Sequence, residues 1–211
     1  MADDKKLYLI REFAEFNYAR ETENGKPKVS EYGNIYVKGI LQRADSLNQN
    51  GRIYPKKILE REVDRYKKLI EERRATGELD HADEPVVNLK YTSHVITDIW
   101  WEGDEVWGRV EILEKMDQGR QLKALIDDGI KVGISSRALG SVIQRNGANI
   151  VQDDLQMICW DFVSEPSTHN AFMMREARQL SRDEVRKIEE IYGKVKRLDD
   201  IANELLNIKK I

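Results

Sequence analysis

The segment Lys131-Val132-Gly133-Ile134-Ser135-Ser136-Arg137, followed by Val142-Ile143-Gln144, the dipeptide Asn146-Gly147 and the run from Leu155 to Val163, decides the architecture. Asn-Gly between two extended stretches is a hairpin turn, because both residues adopt the positive φ angles that a two-residue loop requires. Pro166 closes the last stretch, since proline cannot donate to a ladder. Strand follows strand here with no helix between, which predicts antiparallel pairing rather than a βαβ unit.

Working outward, a helix is predicted from Asp117 to Asp128, with Leu122, Leu125 and Ile126 on one face and Gly129 as its stop. His94 to Leu113 reads as a hairpin turning at Glu102-Gly103-Asp104-Glu105, its tryptophans Trp100, Trp101 and Trp107 assigned to core or interface packing. Pro55 opens a helix whose Ile58, Leu59, Val63, Tyr66, Leu69 and Ile70 recur at helical spacing until Gly77, and residues 6 to 13 and 35 to 42 read as strands. The fold class is therefore α+β, mainly β, and the strand count suits a barrel or closed sandwich. From Ser181 the pattern changes. Ser181 and Glu184 form a capping-box pair, and Ile188, Ile191, Val195, Leu198, Ala202 and Leu205 step by three and four, an amphipathic helix that packs on its own domain or on a partner. The expected domains are 1–178 and a helical tail, 179–211.

Hydrophobic residues make up 40% of the chain and charged ones 35%, which is enough for one core and argues against disorder throughout. The net charge of −3 comes from interleaved acids and bases, without the basic stripe that phosphate neutralisation demands, so nucleic acid is not an expected partner. No apolar run reaches the ~20 residues of a membrane span. No signal core follows Met1-Ala2-Asp3-Asp4, and the chain reads as cytoplasmic. The single cysteine, Cys159, sits in an apolar run as a small buried hydrophobe.

Of the three histidines, only His81 lies in a polar loop, Gly77-Glu78-Leu79-Asp80-His81-Ala82-Asp83-Glu84-Pro85, where carboxylates favour and orient an imidazolium. His94 falls in a strand pattern and reads as structural, and His169 follows the end of the last strand. Glycines flank the pair Ser135-Ser136, which suits close approach of a ligand, although a bent glycine-bearing strand explains the same residues. Asp161 is an acid in an apolar run, costly unless a cation meets it, or else a carboxylate alternating outward to water. No motif asks for a cofactor or a metal, and neither is expected.

Four motifs in order over roughly residues 35 to 165 resemble the prohead core proteases of tailed phages: Asn48 to Pro55, Gly77-Glu78-Leu79-Asp80-His81, Asp98 to Gly103, and Gly133 to Ser141. The resemblance implies a herpesvirus-protease-like antiparallel β-barrel surrounded by helices. It implies a serine endopeptidase with Ser135 as nucleophile and His81 as base. Asp161 is expected as the third member, with Asp80, Asp83 and His169 as substitutes. Ser136 and Arg137 are expected at the oxyanion or the substrate, Arg137 against a substrate glutamate. The implied substrates are capsid and scaffold proteins inside the prohead in the host cytoplasm, cut after glutamate with an apolar residue two positions before. Met174-Arg175-Glu176-Ala177 fits that pattern and is an expected self-cleavage site between Glu176 and Ala177. Oligomeric state is left open. Two rival readings remain: a metal-dependent hydrolase built on His81, Asp83 and Glu84, and a non-catalytic scaffold or binding module.

Overall fold

A computed structural model describes residues 8–16, 18–80, 84–164, 177–179, 181 and 183–186. The elements in chain order are β1 Tyr8–Glu15, β2 Ala19–Arg20, β3 Thr22–Glu23, β4 Lys26–Pro27, β5 Tyr36–Arg43, β6 Arg52–Ile53, α1 Lys56–Glu71, β7 Thr76–Glu78, β8 Thr92–Glu102, β9 Glu105–Ile112, α2 Asp117–Asp127, β10 Val132–Gly140, β11 Val142–Arg145, β12 Ala148–Val151, β13 Gln156–Ser164 and β14 Ala177–Gln179. A 3₁₀ turn covers Leu89–Tyr91. By its contacts the chain divides into Tyr8–Arg178 and a second unit, Met1–Leu7 with Gln179–Ile211.

The hairpins form where the turn residues predict them. Asn146 and Gly147 take φ of 51° and 80° between β11 and β12, and Gly103 takes 62° between β8 and β9. Helix α2 ends with Gly129 at φ 71°, where the Ile130 N–H donates back to the Leu125 carbonyl. Helix α1 begins as expected but ends at Glu71, six residues before Gly77. Arg73 supplies the left-handed residue at φ 54°, and the N–H groups of Arg73 and Arg74 return to the carbonyls of Ile70 and Leu69, a Schellman arrangement without glycine. Tertiary contact accounts for the exception. The Arg73 guanidinium pairs with the buried Glu111 at 2.7 Å and lies 4.3 Å over the Tyr32 ring.

Two sheets carry the core. One is ordered β13-β10-β1-β14 and the other β2-β5-β9-β8-β7, with small sheets β11-β12-β6 and β3-β4 beside them. Their inner faces enclose Ile10, Val37, Leu41, Ile96, Val110, Ile134, Trp160 and Phe162, and α1 and α2 add Leu59, Val63, Tyr66, Leu122 and Ile126. Trp101 packs on this core, whereas Trp100 and Trp107 stack at 6.4 Å, half-buried, on β8 and β9.

No closed barrel is found among the described residues. Among the described residues the strands form separate sheets, and the edges β13 and β7 meet at a seam without a continuous ladder. Leu79 and Phe162 form one isolated parallel bridge, and the Asp80 N–H donates to the Phe162 carbonyl at 2.7 Å. Elsewhere along the seam, side chains stand in for main-chain partners. The Glu78 N–H donates to Asp161 Oδ1 at 2.9 Å, and the Trp160 carbonyl accepts from His94 Nε2 at 3.0 Å. The strands approach so closely that a Cβ on Gly77 would lie 2.1 Å from the Trp160 oxygen. Of the expected C-terminal helix, the described part is one turn, residues 183–186, with the capping box formed: the Ser181 N–H donates to Glu184 Oε2 at 2.8 Å and the Glu184 N–H to Ser181 Oγ at 3.3 Å. The later heptad positions lie outside the described residues.

Candidate active site

β10 is an interior strand, paired with β1 on one side and β13 on the other. Ser135 stands directly opposite Asp161 of β13 and Phe13 of β1. Side chains alternate across a strand, so Ser135 and Arg137 share one face with Asp161 and Cys159. Ser136 faces the other way, next to Trp160 and Glu12 in the register. Ser135 and Asp161 are thus brought together, at 1% and 0% exposure.

His81, Ala82 and Asp83 lie outside the described residues, as do His169 and Glu176. The residue before His81 is placed. Asp80 is bonded to Phe162, the neighbour of Asp161, and takes φ 71°, a left-handed bend that aspartate tolerates better than most residues.

The charge in the site is organised around Arg137, which is fully buried. Its Nε lies 3.1 Å from Asp161 Oδ2, and its Nη2 lies 3.2 Å from both Asp161 Oδ1 and Glu78 Oε1. Its Nη1 donates to the Glu84 carbonyl at 2.7 Å, and Cys159 Sγ is 3.3 Å from Nε. Burial opposes the guanidinium charge, and the carboxylates of Asp161 and Glu78 favour it. Cys159 contributes no charge of its own. Burial pushes its thiol well above the ordinary range, so it is neutral and donates to Asp161 Oδ1 at 3.4 Å. The cation that sequence reasoning required near Asp161 is therefore met, among the described residues, by Arg137.

Ser136 and Arg137 stand on opposite faces of β10. The β10–β13 register shifts between Arg137 and Ala138, so the ladder is irregular beside these residues. The Ser136 hydroxyl is turned into the core beside Tyr54, and the Arg137 guanidinium is occupied within the protein rather than presented to a substrate glutamate. Sequence reasoning missed Glu78, although it stands in the Gly77-Glu78-Leu79-Asp80-His81 motif. Its carboxylate accepts from the Asn88 N–H and from Arg137, and strand alternation gives no sign of a partner supplied by another element.

His94 is structural, as its strand pattern suggested. Nε2 donates to the Trp160 carbonyl, which leaves Nδ1 to accept from Ser93 Oγ at 2.8 Å. Burial lowers its pKa to about 4, against the opposing pull of Asp161, so the ring is neutral. The Asn48 to Pro55 motif forms a second buried cluster behind β10. Arg52 Nη1 reaches Glu12 Oε2 at 3.2 Å and the Arg11 carbonyl at 2.9 Å, while Asn50 Nδ2 donates to Glu12 Oε1 at 2.8 Å. Among the described residues no three His, Cys, Asp or Glu side chains group as a metal would require. Of the rival metal set, only Glu84 is described, and it is exposed.

Comparison with known proteins identifies the family and the fold. Residues 14–181 match the family described as prohead core protein serine protease. The chain is 35% identical over 157 residues to the prohead core protein protease of Enterobacteria phage T4, covering 72% of this chain and 74% of that one. Its fold is similar to the solved capsid assembly protease of bacteriophage T4, with a TM-score of 0.69 and 30% identity, over 78% of this chain and all of the other.

Proposed function

Because the chain belongs to the prohead core protein serine protease family, we propose that it is a serine endopeptidase of head maturation, with Ser135 as nucleophile, His81 as general base and Asp161 as the third member. The observation that carries this reading is the register of β10 and β13, which sets Ser135 directly opposite Asp161, together with the anchoring of Asp80 beside them.

In this mechanism the Ser135 hydroxyl attacks the peptide carbonyl while the imidazole takes its proton, then returns it to the leaving amine. Water hydrolyses the acyl-enzyme by the reverse relay. Asp161 stabilises the imidazolium and fixes its orientation. Backbone N–H groups beside Ser136 and Arg137 are the donors proposed for the developing oxyanion. At 1% exposure Ser135 is closed to a peptide, so the groups that cover it must shift when substrate binds. The substrates are capsid and scaffold proteins inside the prohead, cut after glutamate. Self-cleavage after Glu176 separates residues 1–176 from Ala177 and the tail.

The test compares wild type and Ser135→Ala on a peptide containing Met-Arg-Glu-Ala, with intact masses of both proteins. Wild type alone should cut after the glutamate and release a species ending at Glu176. Cutting by both proteins would move the nucleophile elsewhere, and loss of wild-type activity to a chelator would favour the metal reading.

A further inference from the structure

The two groups of the loop that Arg137 holds, the Glu78 carboxylate and the Glu84 carbonyl, bracket residues 79–83 in sequence, and His81 is at their centre. The same guanidinium holds Asp161, and its own strand carries Ser135 two residues away. One planar cation thus ties the two ends of the segment bearing the proposed base to the two strands bearing its proposed partners. We infer that Arg137 is a positioning residue: it holds Glu78 and Glu84, the described residues that flank the His81 segment in sequence, to the strands of Ser135 and Asp161, and its guanidinium does not contact the substrate. The inference rests on the assignment of Ser135 and His81 above.

Three features support this role over a merely stabilising one. First, the guanidinium is fully buried and its bonds run to three different parts of the chain, β7, the residue 84 loop and β13. A fork of fixed geometry is the group suited to that task, and a lysine ammonium cannot reproduce it. Second, Glu78 and Asp161 both lie at 0% exposure, so the cation between them is required to hold two carboxylates on one side of a seam. Third, the amides around the clasp are themselves tied to it. The Glu78 N–H donates to Asp161 and the Asn88 N–H to Glu78, so releasing Arg137 frees both acceptors at once.

The test uses Arg137→Lys, which keeps the buried charge and loses the fork. Misplacement of a reacting group by about 1 Å costs on the order of 10²-fold in rate, so kcat on the Met-Arg-Glu-Ala peptide should fall by about that factor with KM nearly unchanged. Exchange of the Glu78 and Asn88 amides, measured on Ser135→Ala with and without Arg137→Lys, should quicken by about tenfold or more while core amides of β9 stay protected. If the single variant does not fold, Glu78→Gln with Arg137→Met keeps the cluster's net charge and carries the same measurements. Unchanged exchange at residues 78 and 88 overturns the clamp. So does a fall confined to KM together with lost preference for glutamate over glutamine in the peptide, which would place Arg137 on the substrate. The exchange measurement needs no catalysis, so it stands if Ser135 proves not to be the nucleophile.

Discussion

At position 161 one carboxylate serves both sides of the seam: it accepts the Glu78 N–H from β7 and the Arg137 guanidinium from β10, and stands opposite Ser135. An acid in an apolar strand was legible in the sequence as a costly charge in need of a cation. The identity of the cation was not, because a strand reads its own alternation and carries no record of what faces it. Ser135 and Ser136 show the same limit. They are adjacent and chemically identical, yet alternation sends one to the Asp161 face and the other into the core beside Tyr54. Asp161→Asn should therefore lower kcat on the Met-Arg-Glu-Ala peptide by about 10³-fold or more, since the neutral amide no longer balances an imidazolium. Ser136→Ala should cost less than about tenfold, because its hydroxyl lies on the opposite face. Equal losses in the two variants would show that the strand faces do not separate the chemistry as described.

Among the elements, the seam between β7 and β13 is where the fold produces the site. Continued main-chain pairing there would have used the Glu78 N–H and the Trp160 carbonyl. Instead Asp161 and His94 side chains take them, which brings a carboxylate and the start of the His81 segment together. Gly77 permits this approach, since any Cβ would press on a main-chain oxygen that cannot yield and on the His94 ring at 2.5 Å. Gly77→Ala should force β7 away from β13 and cost about 3 kcal/mol of stability, as overpacking of a well-packed interior does. A denaturant midpoint within error of wild type would show that the two strands separate freely. Behind β10, the cluster of Glu12, Asn50, Arg52 and Tyr54 gives the Asn48 to Pro55 segment a structural role. It ties β6 to β1, the strand on the other flank of β10.

Over the whole molecule, the neutral His94 at the centre of the seam gives stability a pH dependence. Its folded pKa of about 4 lies below the unfolded value of 6.5, so the unfolded chain takes up the proton first. The contribution is full above pH 6.5 and is lost as pH falls from there toward 4, by about 3 kcal/mol for a depression of that size. Denaturant unfolding between pH 7 and 4 should show a steeper decline for wild type than for His94→Gln, and parallel curves would remove His94 as the cause. Local reading of the chain was enough for the longer strands, helix α2, the start of α1, the hairpin turns and the capping box at Ser181, but not for the short strands β2, β3, β4, β6, β7 and β14 or for the end of α1. The legible elements depend on periodicity and on the φ angles of a few residues, which act over a turn or two of chain. Asp161 was conspicuous as an acid in an apolar run, whereas Ser135 was singled out by its flanking glycines and by the family resemblance. That these two stand opposite each other, that Arg137 faces inward to Glu78 and Glu84, and that the two main sheets meet at a seam came from packing. Register, facing and closure arise from contacts between residues far apart in the chain, and their free energy exists only once the elements have packed.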